Sequence, residues 1–283
     1  METLKGRLKS CSINTATLGH RENLDKTIER VARAGFGGIA PWRHEVEAGD
    51  VGRYARKIRD HNLTVTGYCR STYFPASTLQ ERQANIDANI RALHDAAELN
   101  AKCFVMVVGG LPEDSRDLAG AREQVTNGIS HLLEHAKLIG VPLAIEPLHP
   151  MYAANRSVIS TIEQSLALCR RIDKENSGFL GIAIDIYHCW WDPMLDLSIS
   201  SAGKEKRIYA YHVSDWLEPT QDMLLDRGMM GDGIVDLRAI RSHIEQAGYE
   251  GMVEVEIFSR DKWWKEHPTD VLSLCAERLQ MLC

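Results

Sequence analysis

The chain has 283 residues, 44% of them apolar and 25% charged, enough to bury a sizeable core without a disulfide or a metal. Its 33 basic and 39 acidic residues leave a formal charge of −6, the wrong sign for clamping a nucleic-acid backbone. Seven cysteines without a C-x-x-C spacing, an opening METLKGRLKS without an apolar signal-like stretch, and no apolar run near about 18 residues argue for a cytoplasmic chain with reduced thiols and no membrane partner.

Short apolar runs alternate with helical stretches from end to end. Strand candidates at Ser10–Thr15, Gly37–Ala40, Leu63–Gly67 and Cys103–Val108 are followed by helix candidates at Asn23–Ala34, Asp50–His61, Ser77–Asn100 and Asp114–Ile139. Ser77 is the expected N-cap of the third helix, and Gly140 is the expected stop of the fourth. Further strands at Val141–Ile145, Phe179–Ile184, Arg207–Tyr211 and Gly251–Ile257 alternate with helices at Val158–Ile172, Met194–Ser201, Asp236–Ala247 and Thr269–Leu282. Eight βα units in this length predict an α/β fold, one closed (β/α)8 TIM barrel over residues 1–283, because parallel strands need right-handed helical crossovers.

Functional groups of such barrels sit just past the C-terminal strand ends. Four consecutive strands end there in polar residues: PLAIE at Glu146, GIAID at Asp185, IYAYH at His212 and VEVE at Glu256. One such carboxylate alone is as easily a cap or a solvated strand end. Four at matching positions point to a divalent cation, since a charge at the end of an apolar strand is costly unless paired or ligated. Three carboxylates and an imidazole without a thiolate favour Mn2+, then Mg2+, Co2+ or Zn2+. Asp215, three residues past His212, is either a holder of that imidazole's second nitrogen or a loop carboxylate in water.

The segments AIEPLHP, GIAIDIYH, IYAYHVSD and VEVEIF resemble the xylose isomerase-like barrel superfamily, and within it the sugar phosphate isomerase/epimerase branch of ketose 3-epimerases, hydroxypyruvate isomerases and inosose dehydratases. The resemblance implies Glu146, Asp185, His212 and Glu256 as ligands of one divalent metal ion, with Glu146 and Glu256 also exchanging protons with substrate. It implies that His188 and Arg227 contact substrate oxygens. His149, held between prolines, and Trp191, which can stack on a sugar face, are further substrate-binding candidates.

The implied activity is isomerisation or epimerisation of a small keto sugar or related polyol, through proton removal beside a carbonyl and a metal-stabilised enediolate. A lyase or dehydratase on a keto sugar or inosose uses the same groups, and a non-catalytic sugar-binding barrel is the remaining alternative. An apurinic endonuclease of the same superfamily would gather more histidines and a basic groove. The Trp190-Trp191 and Trp263-Trp264 pairs fit either sugar stacking or a subunit interface, and a homo-oligomer, dimer or tetramer, is expected. The loop Gly228-Met-Met-Gly231-Asp-Gly233 is expected to close over substrate as a lid.

Overall fold

Parallel strands form a nearly closed ring in the order β3-β2-β1-β9-β8-β7-β6-β5-β4. They are β1 (Cys11–Asn14), β2 (Gly38–Ala40), β3 (Thr64–Val65), β4 (Tyr68–Cys69), β5 (Phe104–Met106), β6 (Leu143–Ile145), β7 (Leu180–Asp185), β8 (Ile208–Val213) and β9 (Val253–Val255). Around them lie α1 (Leu24–Arg33), α2 (Arg43–Glu47), α3 (Val51–Asp60), α4 (Leu79–Glu98), α5 (Leu118–Ile139), α6 (Ile162–Ile172), α7 (Ile186–Cys189), α8 (Leu195–Lys204), α9 (Leu237–Gln246) and α10 (Pro268–Leu282). This computed structural model describes residues 4–283; Met1, Glu2 and Thr3, which the expected domain also spans, lie outside the described residues.

The third expected strand is broken in two. Thr64 and Thr66 donate their N–H groups to the Gly37 and Ile39 carbonyls beside β2, whereas Tyr68 donates to Cys103 beside β5. One stave thus changes partners at Thr66-Gly67, and an isolated pairing of Trp42 with Cys69 spans the seam. A uniform apolar run carries no sign of which neighbour each residue will pair with.

Helix starts follow their caps more than their apolar patterns. Thr78, not Ser77, caps α4, because its side chain and Glu81 satisfy each other's backbone N–H groups. Asp117 caps α5 and Thr161 caps α6, so both helices begin about four residues later than the sequence suggested. The α5 stop is as expected: Gly140 takes φ 85°, a left-handed conformation in which a Cβ is strained.

Two-residue alternation sorts the strand side chains. Ile13, Leu143, Ile182, Ile184 and Val255 join the large core against the helices, whereas Cys69, Cys103, Val105, Ala144, Ala183 and Ala210 form a separate small-residue cluster. Stepping two residues from Ala144, Ala183 and Ala210 reaches Glu146, Asp185 and His212, so small residues fill the barrel beneath a polar mouth. All seven cysteines are free and buried. Among the described residues, no helix is long and apolar enough to cross a membrane.

Candidate metal centre and active site

The strands bring Glu146, Asp185, His212 and Glu256 together, with one donor atom from each lying within 4.8 Å of the others. All four are buried. Register explains much of this convergence: Asp185 on β7 is opposite His212 on β8, which is opposite Glu254 on β9. Adjacent partners in a sheet point to the same face. Glu256 lies two residues above Glu254 and returns to that face.

His212 Nδ1 lies 3.1 Å from Glu146 Oε1 and 3.8 Å from Glu256 Oε2. Asp185 Oδ1 accepts the Tyr187 N–H and starts the short helix α7, while Oδ2 accepts from Arg227 at 2.8 Å. Arg227 also donates to Glu256 Oε2 at 3.2 Å, and its guanidinium lies over the Tyr187 and Phe258 rings. Burial pushes the Glu256 carboxyl up to about 8, with Arg227 opposing and Glu146 adding to the rise. Burial also pushes Asp185 up, but Arg227, His188 and His212 outweigh it and hold that carboxyl below its usual range. Burial works against a charged His212; Glu254, Glu146 and Glu256 prevail and raise it well above an ordinary imidazole.

Such a cluster is short of positive charge, and a divalent ion would supply it. Bonds of about 2.1 Å put opposite ligand atoms of one ion about 4.2 Å apart, so the observed spread suits a single ion. The residues therefore fit a divalent cation held by oxygen and one imidazole nitrogen.

Sequence reasoning missed Glu254 and Asn14. His212 Nε2 faces Glu254 Oε1 at 3.5 Å, and Thr66 Oγ1 donates to Glu254 Oε2 at 2.6 Å. Asn14 Nδ2 lies 2.9 Å from both Glu254 Oε1 and Glu256 Oε1, and its Oδ1 accepts from Trp42 Nε1 at 2.7 Å. The alternation Glu254-Val255-Glu256 was the available signal, since it puts both glutamates on the inward face. Below them Gly38 packs closely, since a Cβ there would lie 2.8 Å from the Ser12 Cβ, and Ser12 Oγ is 2.7 Å from Thr66 Oγ1.

Asp215 does not hold His212. It accepts the backbone N–H groups of Trp216, Gly231, Gly233 and Val235. Those bonds also correct the lid expectation for Gly228–Gly233. Met229 and Met230 are buried, and the Asp215 carboxylate pins the loop that a lid would need to free.

A small cavity of about 20 Å³ opens on the cluster and is lined by Glu146, Glu256, His188 and Arg227. His188 Nε2 is 3.0 Å from Arg227 Nη2. Arginine can only donate there, so Nε2 accepts and the proton sits on Nδ1. That Nδ1 and Arg227 Nε are buried donors without a hydrogen-bond partner among the described residues. Burial drives His188 down to about 3, so its imidazole is neutral.

The structure does not bring His149 and Trp191 to the cavity wall. His149 stacks on Trp216 with ring centres 5.2 Å apart and meets Trp191 edge-on, while Trp191 Nε1 donates to the His188 carbonyl. Trp190 packs beside Trp216, and Trp264 donates to Ala16. Trp42 lines the cavity, whereas Tyr68 is a buried packing residue beside Phe104.

Its parallel strands and surrounding helices make the chain a β/α barrel, and its mouth gathers three carboxylates and an imidazole that could hold a cation. Residues 28–272 match the xylose isomerase-like TIM barrel family, and the chain belongs to that family. Protein SMc04130 from Sinorhizobium meliloti 1021 is similar in structure, with 47% identity, coverage of 98% of this chain and 99% of that one, and a TM-score of 0.94. An inosose isomerase of Bacillus velezensis is 22% identical over 276 residues, 91% of each chain. The match to the inosose isomerase of Bacillus subtilis (strain 168), 28% identical over 144 residues, spans 48% of this chain and about half of that protein. The IOLI protein, whose structure has a bound zinc atom, shares the fold at 19% identity, with 95% coverage of each chain and a TM-score of 0.79.

Proposed function

We propose that this chain is a divalent-metal-dependent isomerase or epimerase that acts on a small keto sugar or related polyol by moving a proton next to a carbonyl. The observation that carries the reading is the convergence of Glu146, Asp185, His212 and Glu256. The inosose isomerase relatives and the zinc in the IOLI structure support the substrate class and a divalent ion.

On this reading those four residues hold the ion, which when bound would stabilise negative charge on substrate oxygens. Glu146 and Glu256 remove and return the proton. Both line the cavity, and Asn14 fixes Glu256 by one oxygen. His188 Nδ1 and Arg227 Nε, two of the buried donors without a hydrogen-bond partner among the described residues, orient substrate oxygens. His149 and Trp191 act one step back, by holding the loop that carries His188.

The test pairs elemental analysis with deuterium uptake from heavy water into keto sugars and their acidic or phosphorylated derivatives. About one ion per chain is expected, lost in His212→Ala. Glu256→Gln is expected to remain folded and lose exchange by about a thousandfold or more. No metal uptake from Mn2+, Co2+, Mg2+ or Zn2+, or near-normal exchange by Glu256→Gln, would overturn the proposal. A new conjugated chromophore in the product would assign the chemistry to elimination instead.

A further inference from the structure

The cavity has two cations that the carboxylate cluster does not use. Arg227 is committed to Asp185 and Glu256. Arg70 and Arg156 also line the cavity, yet among the described residues no carboxylate pairs with either. Both are half-buried.

Each guanidinium carbon lies over a tyrosine ring. Arg70 lies 4.7 Å from the Tyr73 ring centre, and Arg156 lies 5.6 Å from that of Tyr152. A ring contact of this kind gives the N–H groups no oxygen acceptor. Arg70 Nη1 has one long contact, 3.4 Å to the Ser71 carbonyl, and Arg156 Nε is buried with no hydrogen-bond partner among the described residues. The two cations also feel each other: burial and then Arg156 pull Arg70 below its ordinary range, outweighing Tyr73 and the Glu146 carboxylate, which raise it. Two like charges facing a pocket with unused donors cost free energy unless an anion joins them. Around them the wall is apolar, with Val105, Val107, Leu148 and Phe258, which strengthens any charge pairing inside.

We infer that the substrate carries a terminal oxyanion, a carboxylate or a phosphate, which Arg70 and Arg156 bind while its carbonyl end lies at Glu146, Asp185, His212 and Glu256. This inference rests on the isomerase reading above. A neutral sugar would leave both guanidiniums unanswered, whereas planar N–H edges suit the oxygens of either anion.

The test compares 2-ketohexoses, their 6-phosphates and keto-hexonates as substrates of the Mn2+-loaded protein, followed by deuterium uptake. An anionic compound is expected to exceed its neutral counterpart at least a hundredfold in kcat/KM, and which anionic series does so distinguishes phosphate from carboxylate. Arg70→Gln and Arg156→Gln are each expected to raise KM for that compound at least tenfold, with Arg70→Lys and Arg156→Lys recovering part of the loss. Metal content is measured on every variant to establish that it is folded. Neutral sugars turned over as well as their anionic counterparts would overturn the oxyanion and leave the isomerase intact. If no compound exchanges, the isomerase reading fails, and titration with inorganic phosphate and with malonate decides the arginine pair. A tenfold loss of affinity in the Gln variants keeps it, and unchanged affinity discards it.

Discussion

Glu254 stands opposite His212 in the β8–β9 register and faces its Nε2 at 3.5 Å, while Nδ1 faces Glu146 at 3.1 Å. The imidazole is therefore gripped from below and presented upward. A carboxylate on the far nitrogen fixes the ring's tautomer and raises its basicity. Glu254→Gln is expected to weaken Mn2+ binding by about 10- to 100-fold with the fold retained. Competition against a chelator reads this, and wild-type affinity in the variant would assign Glu254 to packing alone.

Metal binding should depend on pH with a defined sign. Glu256 is pushed up to about 8, chiefly by burial, and His212 is also raised well above its usual value. A ligand must lose its proton to bind an ion. Below pH about 8 the ion must therefore displace protons, and Mn2+ affinity is expected to fall about tenfold per pH unit for each one displaced. Calorimetry in two buffers of different ionisation enthalpy would detect the release. Constant affinity from pH 6 to 9 would contradict it.

The same raised Glu256 shapes the stability of the metal-free protein. Its folded carboxyl holds a proton to higher pH than the unfolded one, so its contribution is complete below the unfolded value and is lost as pH rises through about 8. Thermal melts of metal-free protein are expected to drop between pH 6 and 8 and to recover on adding Mn2+. Glu256→Gln should flatten that drop.

His188 offers a donor with no hydrogen-bond partner among the described residues, on a neutral ring. His188→Leu is expected to keep the metal and lose about a hundredfold in kcat/KM, the scale of one well-placed donor. Loss of metal along with activity would instead make His188 part of the ion's support.

Asp215 holds four backbone N–H groups of the 216–235 loop from full burial. Removing the carboxylate leaves those donors unsatisfied, so Asp215→Ala is expected to cost about 3 kcal/mol in denaturant unfolding. A change below about 0.5 kcal/mol would show that the loop is held by Met229 and Met230 instead.

The sequence by itself determined the alternation of strands and helices and the polar residues at four successive strand ends. Those features are local: period-two patterning places Glu146 above Ala144, and Asp185 above Ala183, without reference to any distant residue. Family resemblance then implied Glu146, Asp185, His212 and Glu256 as candidate ligands. What pairs across the sheet was not local. Only the β7–β8–β9 register put Asp185, His212 and Glu254 in one row, and only the loop's path gave Asp215 to backbone amides in place of His212. Strand three broke because its two halves satisfy different neighbours. Arg70 and Arg156 lie 86 positions apart and have no motif in common; the fold alone sets them into one cavity, because a side chain's electrostatic surroundings come from the elements packed against it.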